Sequence, residues 1–272
     1  MIRKAIHAGT FYPRFANQIQ DNIAQWLKNA GASPANERCL GLILPHAGYI
    51  YSGACATLGL ASAAGEKFDS IIVVHPSHQG IHFDFSVSPF TEYECPLGNL
   101  TLDNELYRIL SPAGEKNLDL DYHRLEHSLE IQLPLIKHFF PDAKICPVMM
   151  GNQIPSVAER LGAILYDAVY KSAKRILVVV SSDLSHYHNS ELAEQMDALV
   201  IRHVSQLDPV ALWHGNELGK LEACGIGGIM ALLYMAKLYK SPQVRVINYT
   251  HSGKVSGMNS QVVGYLAARI YE

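Results

Sequence analysis

Three short runs of nearly unbroken apolar residues constrain this chain more than anything else in it: Cys39–Leu44 (CLGLIL), Ser70–Val74 (SIIVV) and Arg175–Val180 (RILVVV). A strand with one wet face alternates apolar and polar side chains, whereas a continuously apolar strand has both faces covered. Such strands belong in the middle of a parallel sheet lying between helices. Helical spacing appears between and after them. Asn17–Leu27 repeats Ile19, Ile23 and Leu27, Val157–Tyr170 repeats Leu161, Leu165 and Val169, and Ser190–Gln206 is a longer candidate. Further strands are predicted at Lys144–Val148, at Gln243–Tyr249 and near Gln261–Ala267. The alternation predicts an α/β fold with an open, mainly parallel sheet flanked by helices. No linker rich in Pro, Gly or Ser interrupts it, so residues 1–272 read as a single domain. Between Ser86 and Asp103, Pro89, Pro96 and Gly98 break any long period and predict a loop or short hairpin beside the sheet. Leu110–Asp121 shows no pattern and is left unassigned.

Composition narrows the function classes. With 49% apolar and 17% charged residues the chain can build a core without special staples. A net charge of −3 and the lack of any polybasic run argue against a nucleic-acid or anionic-membrane surface. Cys39, Cys55, Cys95, Cys146 and Cys224 are odd in number and form no C-x-x-C pair, which reads as reduced thiols in a cytoplasmic protein. The N-terminus lacks the apolar segment of a signal peptide. The uncharged, apolar-rich stretch Ala223–Ala236 is too short for a bilayer of about 30 Å and reads as a buried helix.

The residues directly after the three apolar runs carry the chemistry. Pro45-His46-Ala47-Gly48-Tyr49 succeeds the first, His75-Pro76-Ser77-His78 the second and Ser181-Ser182-Asp183-Leu184-Ser185-His186 the third. Ligands of open α/β sheets bind beyond the carboxyl ends of the strands, so these histidines are aimed at one edge. Neutral imidazole is the commonest metal ligand, and a site with two or three protein ligands leaves positions for substrate. Asp183 and His186 read as a carboxylate and a general base beside the metal, although Asp183 also suits an N-cap of the following helix. Cys224 stands just ahead of an apolar helix, where a helix N-terminus lowers the thiol pKa and favours the thiolate that binds metal or attacks carbonyls. The plainer role of a free cysteine is that of a small core hydrophobe. His127 and Glu130 share a helix face in Glu126-His127-Ser128-Leu129-Glu130, a segment in which Pro134 marks either a kink or the start of the regular helix. His7 and the remaining histidines receive no role.

In chain order, His7-Ala8-Gly9-Thr10-Phe11-Tyr12, Pro45-His46-Ala47-Gly48-Tyr49, Pro76-Ser77-His78, Glu126-His127-Ser128-Leu129-Glu130, Ser181-Ser182-Asp183 with His186, and Cys224-Gly225 resemble the motifs of the MEMO family. That family also supplies protein B of the prokaryotic AmmeMemoRadiSam system. The resemblance implies a fold similar to the class III extradiol ring-cleavage dioxygenases with their LigB-type subunit. It implies His46, His78 and Cys224 as metal ligands, Asp183 and His186 in the same pocket, His186 as the acid/base histidine, and His127 nearby. One departure matters: Cys224 stands where the dioxygenases use a carboxylate. A thiolate is softer and favours copper or zinc more than a carboxylate does, with iron(II) still the expected metal.

These residues support three expectations. The first is a mononuclear non-heme metal oxidoreductase acting on a small, catechol-like substrate, with His186 moving the proton and Asp183 orienting it. The second is a thiol-dependent hydrolase with Cys224 as nucleophile and His186 and Asp183 as base and orienter. The third is a non-enzymatic binding module whose partners are radical-SAM and AMME-domain proteins.

Overall fold

The computed structural model describes residues 1–30, 37–115 and 118–272. The central strands are β1 (Cys39–Leu44), β2 (Ser70–Pro76), β3 (Phe85–Val87), β4 (Lys144–Met150), β5 (Ile176–Ser181), β6 (His186–His188), β7 (Gln243–His251) and β8 (Val262–Tyr271). They form one eight-stranded sheet in the order β7-β8-β1-β5-β2-β4-β3, with β6 paired to β8. The four middle strands β1, β5, β2 and β4 are mutually parallel. β3, β7 and β8 are antiparallel to their neighbours, so the parallel character predicted for the sheet belongs to its centre.

The apolar runs have the two-sided burial their sequence demands. Ile72, Val74, Val178 and Val180 enter one core with Leu161 and Leu165 of α4 (Pro155–Tyr170) and Ile229 and Leu233 of α6 (Ile226–Ala236). Their alternates Ile71, Val73, Leu177 and Val179 enter the other, with Ile19 and Ile23 of α1 (Ala16–Ala30) and Leu60 of α2 (Tyr49–Ala61). Successive strand residues point to opposite faces, so each face receives its own helical layer. The predicted buried helix lies at Ile226–Ala236, and among the described residues no helix is long and apolar enough to cross a membrane.

Register decides where the site forms. Leu44 lies opposite Ser181, Val180 opposite Val74, and Pro76 opposite Met150. The carboxyl ends of β1, β5 and β2 are therefore level, and the loops leaving them share one edge. The predicted hairpin is present as Glu92–Tyr93 against Leu100–Thr101, but Ile2–Arg3 adds a parallel third strand that has no apolar run to announce it. Pro134 is the third residue of α3 (Gln132–Phe139), where its missing N–H costs no helical bond. The unassigned Leu110–Asp121 contains a short 3₁₀ turn at Ser111–Ala113 and the start of a helix at Leu120–Leu125; its residues 116–117 lie outside those described. Asn189, not Asp183, caps α5 (Ser190–Ser205), which leaves Asp183 for the site.

Candidate metal centre

His46 enters the site directly from the end of β1. It is 2% exposed, and its ring is held at both nitrogens: Nδ1 hydrogen-bonds Ser181 Oγ at 2.9 Å, and Nε2 lies 3.2 Å from Cys224 Sγ. His78, just beyond β2, is fixed by Glu126, whose Oε1 meets the ring Nδ1 at 2.8 Å while Oε2 accepts the His78 backbone N–H at 2.7 Å. The His46 and His78 rings stand 5.4 Å apart and nearly perpendicular. Cys224 arrives from the far side. Its backbone N–H donates to Asp183 O at 3.2 Å, and its Sγ accepts from the Asp183 N–H, also at 3.2 Å. Gly225 permits this approach: a Cβ there would stand 2.6 Å from Ser181 O and 2.8 Å from Ser182 Cβ. Its N–H donates to Ser182 Oγ at 2.9 Å.

One ligand atom each from His46, His78 and Cys224 lies within 4.8 Å of the other two. A first-row ion about 2.0–2.3 Å from nitrogen and sulfur ligands needs them roughly 3–4 Å apart, so the three residues fit a metal. Their protonation fits the imidazole half of the site. Burial, with repulsion from His78 and His127, holds the His46 pKa well below its ordinary value, which leaves the neutral ring a metal requires.

The thiol behaves otherwise than the helix-terminus expectation. Desolvation pushes the Cys224 pKa up, and the Asp183 charge adds to the effect, which favours the thiol over the thiolate. The helix N-terminus is outweighed by the loss of water. Asp183 is also raised, to about 7, by burial, with the backbone N–H groups of His46 and Ala47 pulling the other way.

The remaining predicted residues separate into near and outer positions. His127 is close: its ring lies 4.4 Å from that of His78 and 5.5 Å from that of His46, and Nδ1 is 3.3 Å from Glu126 Oε1. Burial lowers its pKa to about 4. Phe11 and His7 pack against it at 5.1 and 6.0 Å between ring centroids, which gives the unassigned N-terminal histidine a place at the mouth of the site. Glu130, predicted to share a face with His127, instead turns inward to a buried ion pair with Arg3 at 2.7 Å and accepts from Tyr12 Oη at 2.8 Å.

His186 opens β6 and belongs to neither cluster of candidate ligands among the described residues. Its backbone N–H donates to Glu222 at 3.1 Å, and the same carboxylate meets His188 Nε2 at 3.0 Å. Asp183 Oδ1 accepts the His46 backbone N–H at 2.7 Å, and among the described residues no hydrogen bond joins Asp183 to His186. The Cys-His-Asp relay of the hydrolase expectation is therefore not assembled; the imidazole at the thiol is His46.

Glu126, Ser181, Gln132 and Glu222 carry no functional weight in the sequence. Glu126 and Ser181 sit inside the motifs, but only the folded chain shows that they hold His78 and His46. Burial opposes ionisation of Glu126, but hydrogen bonds from His78 and the charges of His78 and His75 prevail and keep its carboxyl well below the ordinary range.

Comparison with known proteins agrees with the motif order. A family model described as Memo-like protein matches residues 3–269. A MEMO1 family protein of Desulfurococcus amylolyticus is 34% identical over 282 residues, covering 99% of each chain. One from Saccharolobus islandicus is 38% identical over 234 residues, 85% of this chain and 82% of its own. One from Methanobrevibacter smithii is 32% identical over 276 residues, 97% of this chain and 98% of its own.

Proposed function

Starting from the chain's membership of the Memo-like protein family, we propose that it is a mononuclear non-heme metal oxidoreductase, with His46, His78 and Cys224 as the protein ligands. Iron(II) is the first metal of this proposal; copper and zinc suit the sulfur ligand as well. The single observation that carries the reading is convergence. Two imidazoles with their outer nitrogens already tied to Ser181 and Glu126 face one thiol from a distant part of the chain. A bound ion would supply Lewis acidity and electron transfer to an oxygenated, catechol-like substrate.

The chain's own groups supply the rest. Three protein ligands leave space for a substrate oxygen, and His127 with Phe11, tilted 33° to each other, offers an aromatic pair beside it. His186, near enough to His78 for that ring to help lower its pKa, would accept a substrate hydroxyl proton; Glu222 holds its backbone in place. Asp183 fixes the His46 loop through the backbone N–H and sets the approach of Cys224. Protein purified without oxygen is expected to carry iron, copper or zinc by elemental analysis, and the iron(II)-loaded form to consume oxygen with catechol-type substrates. Metal-free protein that behaves identically after His46→Ala counts against the proposal.

The 3.2 Å contact between Cys224 Sγ and His46 Nε2 also supports a second reading, a thiol nucleophile with His46 as its base. The raised thiol pKa weighs against it. A trapped acyl-enzyme on Cys224, formed equally well with and without metal, would reverse the preference.

A further inference from the structure

Resting on the metal-centre reading, we infer that residues 126–132 act as a tautomer lock on both histidine ligands, with Glu126 and Ser181 as its positioning residues. A count of protons decides it. Ser181 Oγ has one hydrogen and two lone pairs. The hydrogen is directed to Ser128 O, 2.8 Å away, because a carbonyl can only accept. Gln132 Nε2 donates to Ser181 Oγ at 2.9 Å, and its amide orientation is fixed by a second donation to Pro45 O at 2.8 Å. One lone pair of Ser181 is left, and His46 Nδ1 at 2.9 Å must donate to it. His46 therefore carries its proton on Nδ1 and presents the bare Nε2 lone pair toward Cys224.

His78 is fixed by a different route to the same end. The Glu126 carboxylate accepts from the His78 backbone N–H on Oε2, and from His78 Nδ1 and the Ser128 N–H on Oε1 at 2.8 and 3.0 Å. An ionised carboxylate has no proton to give, so Nδ1 is again the donor, and in the uncharged ring Nε2 is the free nitrogen. Glu126, Ser128 and Gln132 thus govern both rings from one segment, although the rings leave different strands. The segment is itself pinned: the Arg3 guanidinium, 0% exposed, donates to His123 O, Glu126 O and Glu130 Oε2 at 3.0, 2.7 and 2.7 Å. Outer-shell partners of metal-bound histidines set which nitrogen is available, and losing one typically weakens metal binding 10–100-fold.

Nitrogen-15 NMR of the metal-free wild-type protein reads the lock directly. Taken at a pH where both rings are uncharged, the expected spectrum has a protonated Nδ1 and a bare Nε2 on both His46 and His78; a neutral Nε2–H tautomer on either ring overturns the inference. Ser181→Ala and Glu126→Gln are then compared with wild type, using zinc(II) competed against a chromophoric chelator. Each is expected to mix the tautomers of its own histidine only, and to weaken zinc binding about 10–100-fold. Unchanged tautomers and affinity in both variants overturn it. The wild-type spectrum needs no variant to fold. Failure of the wild type to take up zinc would sink the metal-centre reading alone, because the tautomers are measured without metal.

Discussion

At the amino ends of the parallel strands carboxylates pair with lysine and arginine, whereas at the carboxyl ends a half-buried thiol, two imidazoles and the Asp183 carboxyl meet hydroxyl, backbone and Glu126 partners. Asp103, beneath β2, accepts from Lys174 at 2.7 Å and from Ser70. Glu66 pairs with Arg175 and, at 3.0 Å, with Arg269. A cavity of about 770 Å³ opens beside Asp103 and Lys174, larger than many ligand sites, yet its buried carboxylate is already neutralised. At the opposite edge Asp183 receives backbone N–H groups and, among the described residues, no lysine or arginine, and burial favours the uncharged His46 ring. Cavity size alone would direct attention to the amino ends. Unspent ligand capacity directs it to the carboxyl ends, where the proposed centre lies.

The comparison can be broken most severely at the carboxyl edge. His46→Ala or Cys224→Ala is expected to abolish metal uptake, exceeding the roughly 100-fold that an outer partner costs, while leaving far-ultraviolet dichroism unchanged. Retained metal would show that the edge is only a buried polar cluster. Next in size is Arg3→Met, which strands Glu130 in a buried position. Chemical denaturation should show a loss of about 3–5 kcal/mol, and a loss below about 1 kcal/mol would mean that Tyr12 and the His7 backbone suffice for Glu130.

At the amino edge the effects are smaller. Lys174→Met should cost about 1–2 kcal/mol, because Asp103 keeps Ser70 and the backbone N–H groups of Glu105 and Leu106. Metal binding should be untouched; a change would show that the two edges are coupled. The smallest effect is in pH. Burial opposes ionisation of Asp103, but Lys174, Ser70 and the N–H groups outweigh it and lower the pKa to about 2 from an ordinary 3.8. A lowered folded-state pKa stabilises above the unfolded value. The contribution is therefore complete above about pH 4 and vanishes as pH falls through about 2. With solvent screening it amounts to about 1 kcal/mol. Asp103→Asn should flatten that part of the stability curve, and an unaltered acid limb would dissociate Asp103 from it.

The sequence discloses the parts of this molecule whose cause is local. Continuous apolar runs expose β1, β2 and β5, and strand-end histidines expose two of the proposed ligands, because both signals occupy a few consecutive residues. Cys224 is legible only beside its glycine and the motif order, since a single free cysteine in sequence resembles any core thiol. The sign of its pKa shift runs against the sequence expectation because helix position is visible in sequence and depth of burial is not. Glu126, Ser181, Gln132 and Arg3 escape for a third reason: each acts on a residue tens to more than a hundred positions away. The strands β7 and β8 are legible, but their antiparallel direction is hidden likewise, since it depends on pairing between distant segments.

The contact between His46 and Cys224 spans 178 positions, and the Arg3–Glu130 pair spans 127. During synthesis a ribosome would expose the two imidazoles long before the sulfur, so a growing polypeptide could present only an incomplete set of ligands. On the proposed reading, capture of an ion in its final surroundings would await emergence of residue 224 and docking of its helix, late events governed by long-range closure. Metal loading would accordingly report that synthesis had passed Cys224 and that distant segments had come together, rather than arrival of any one segment.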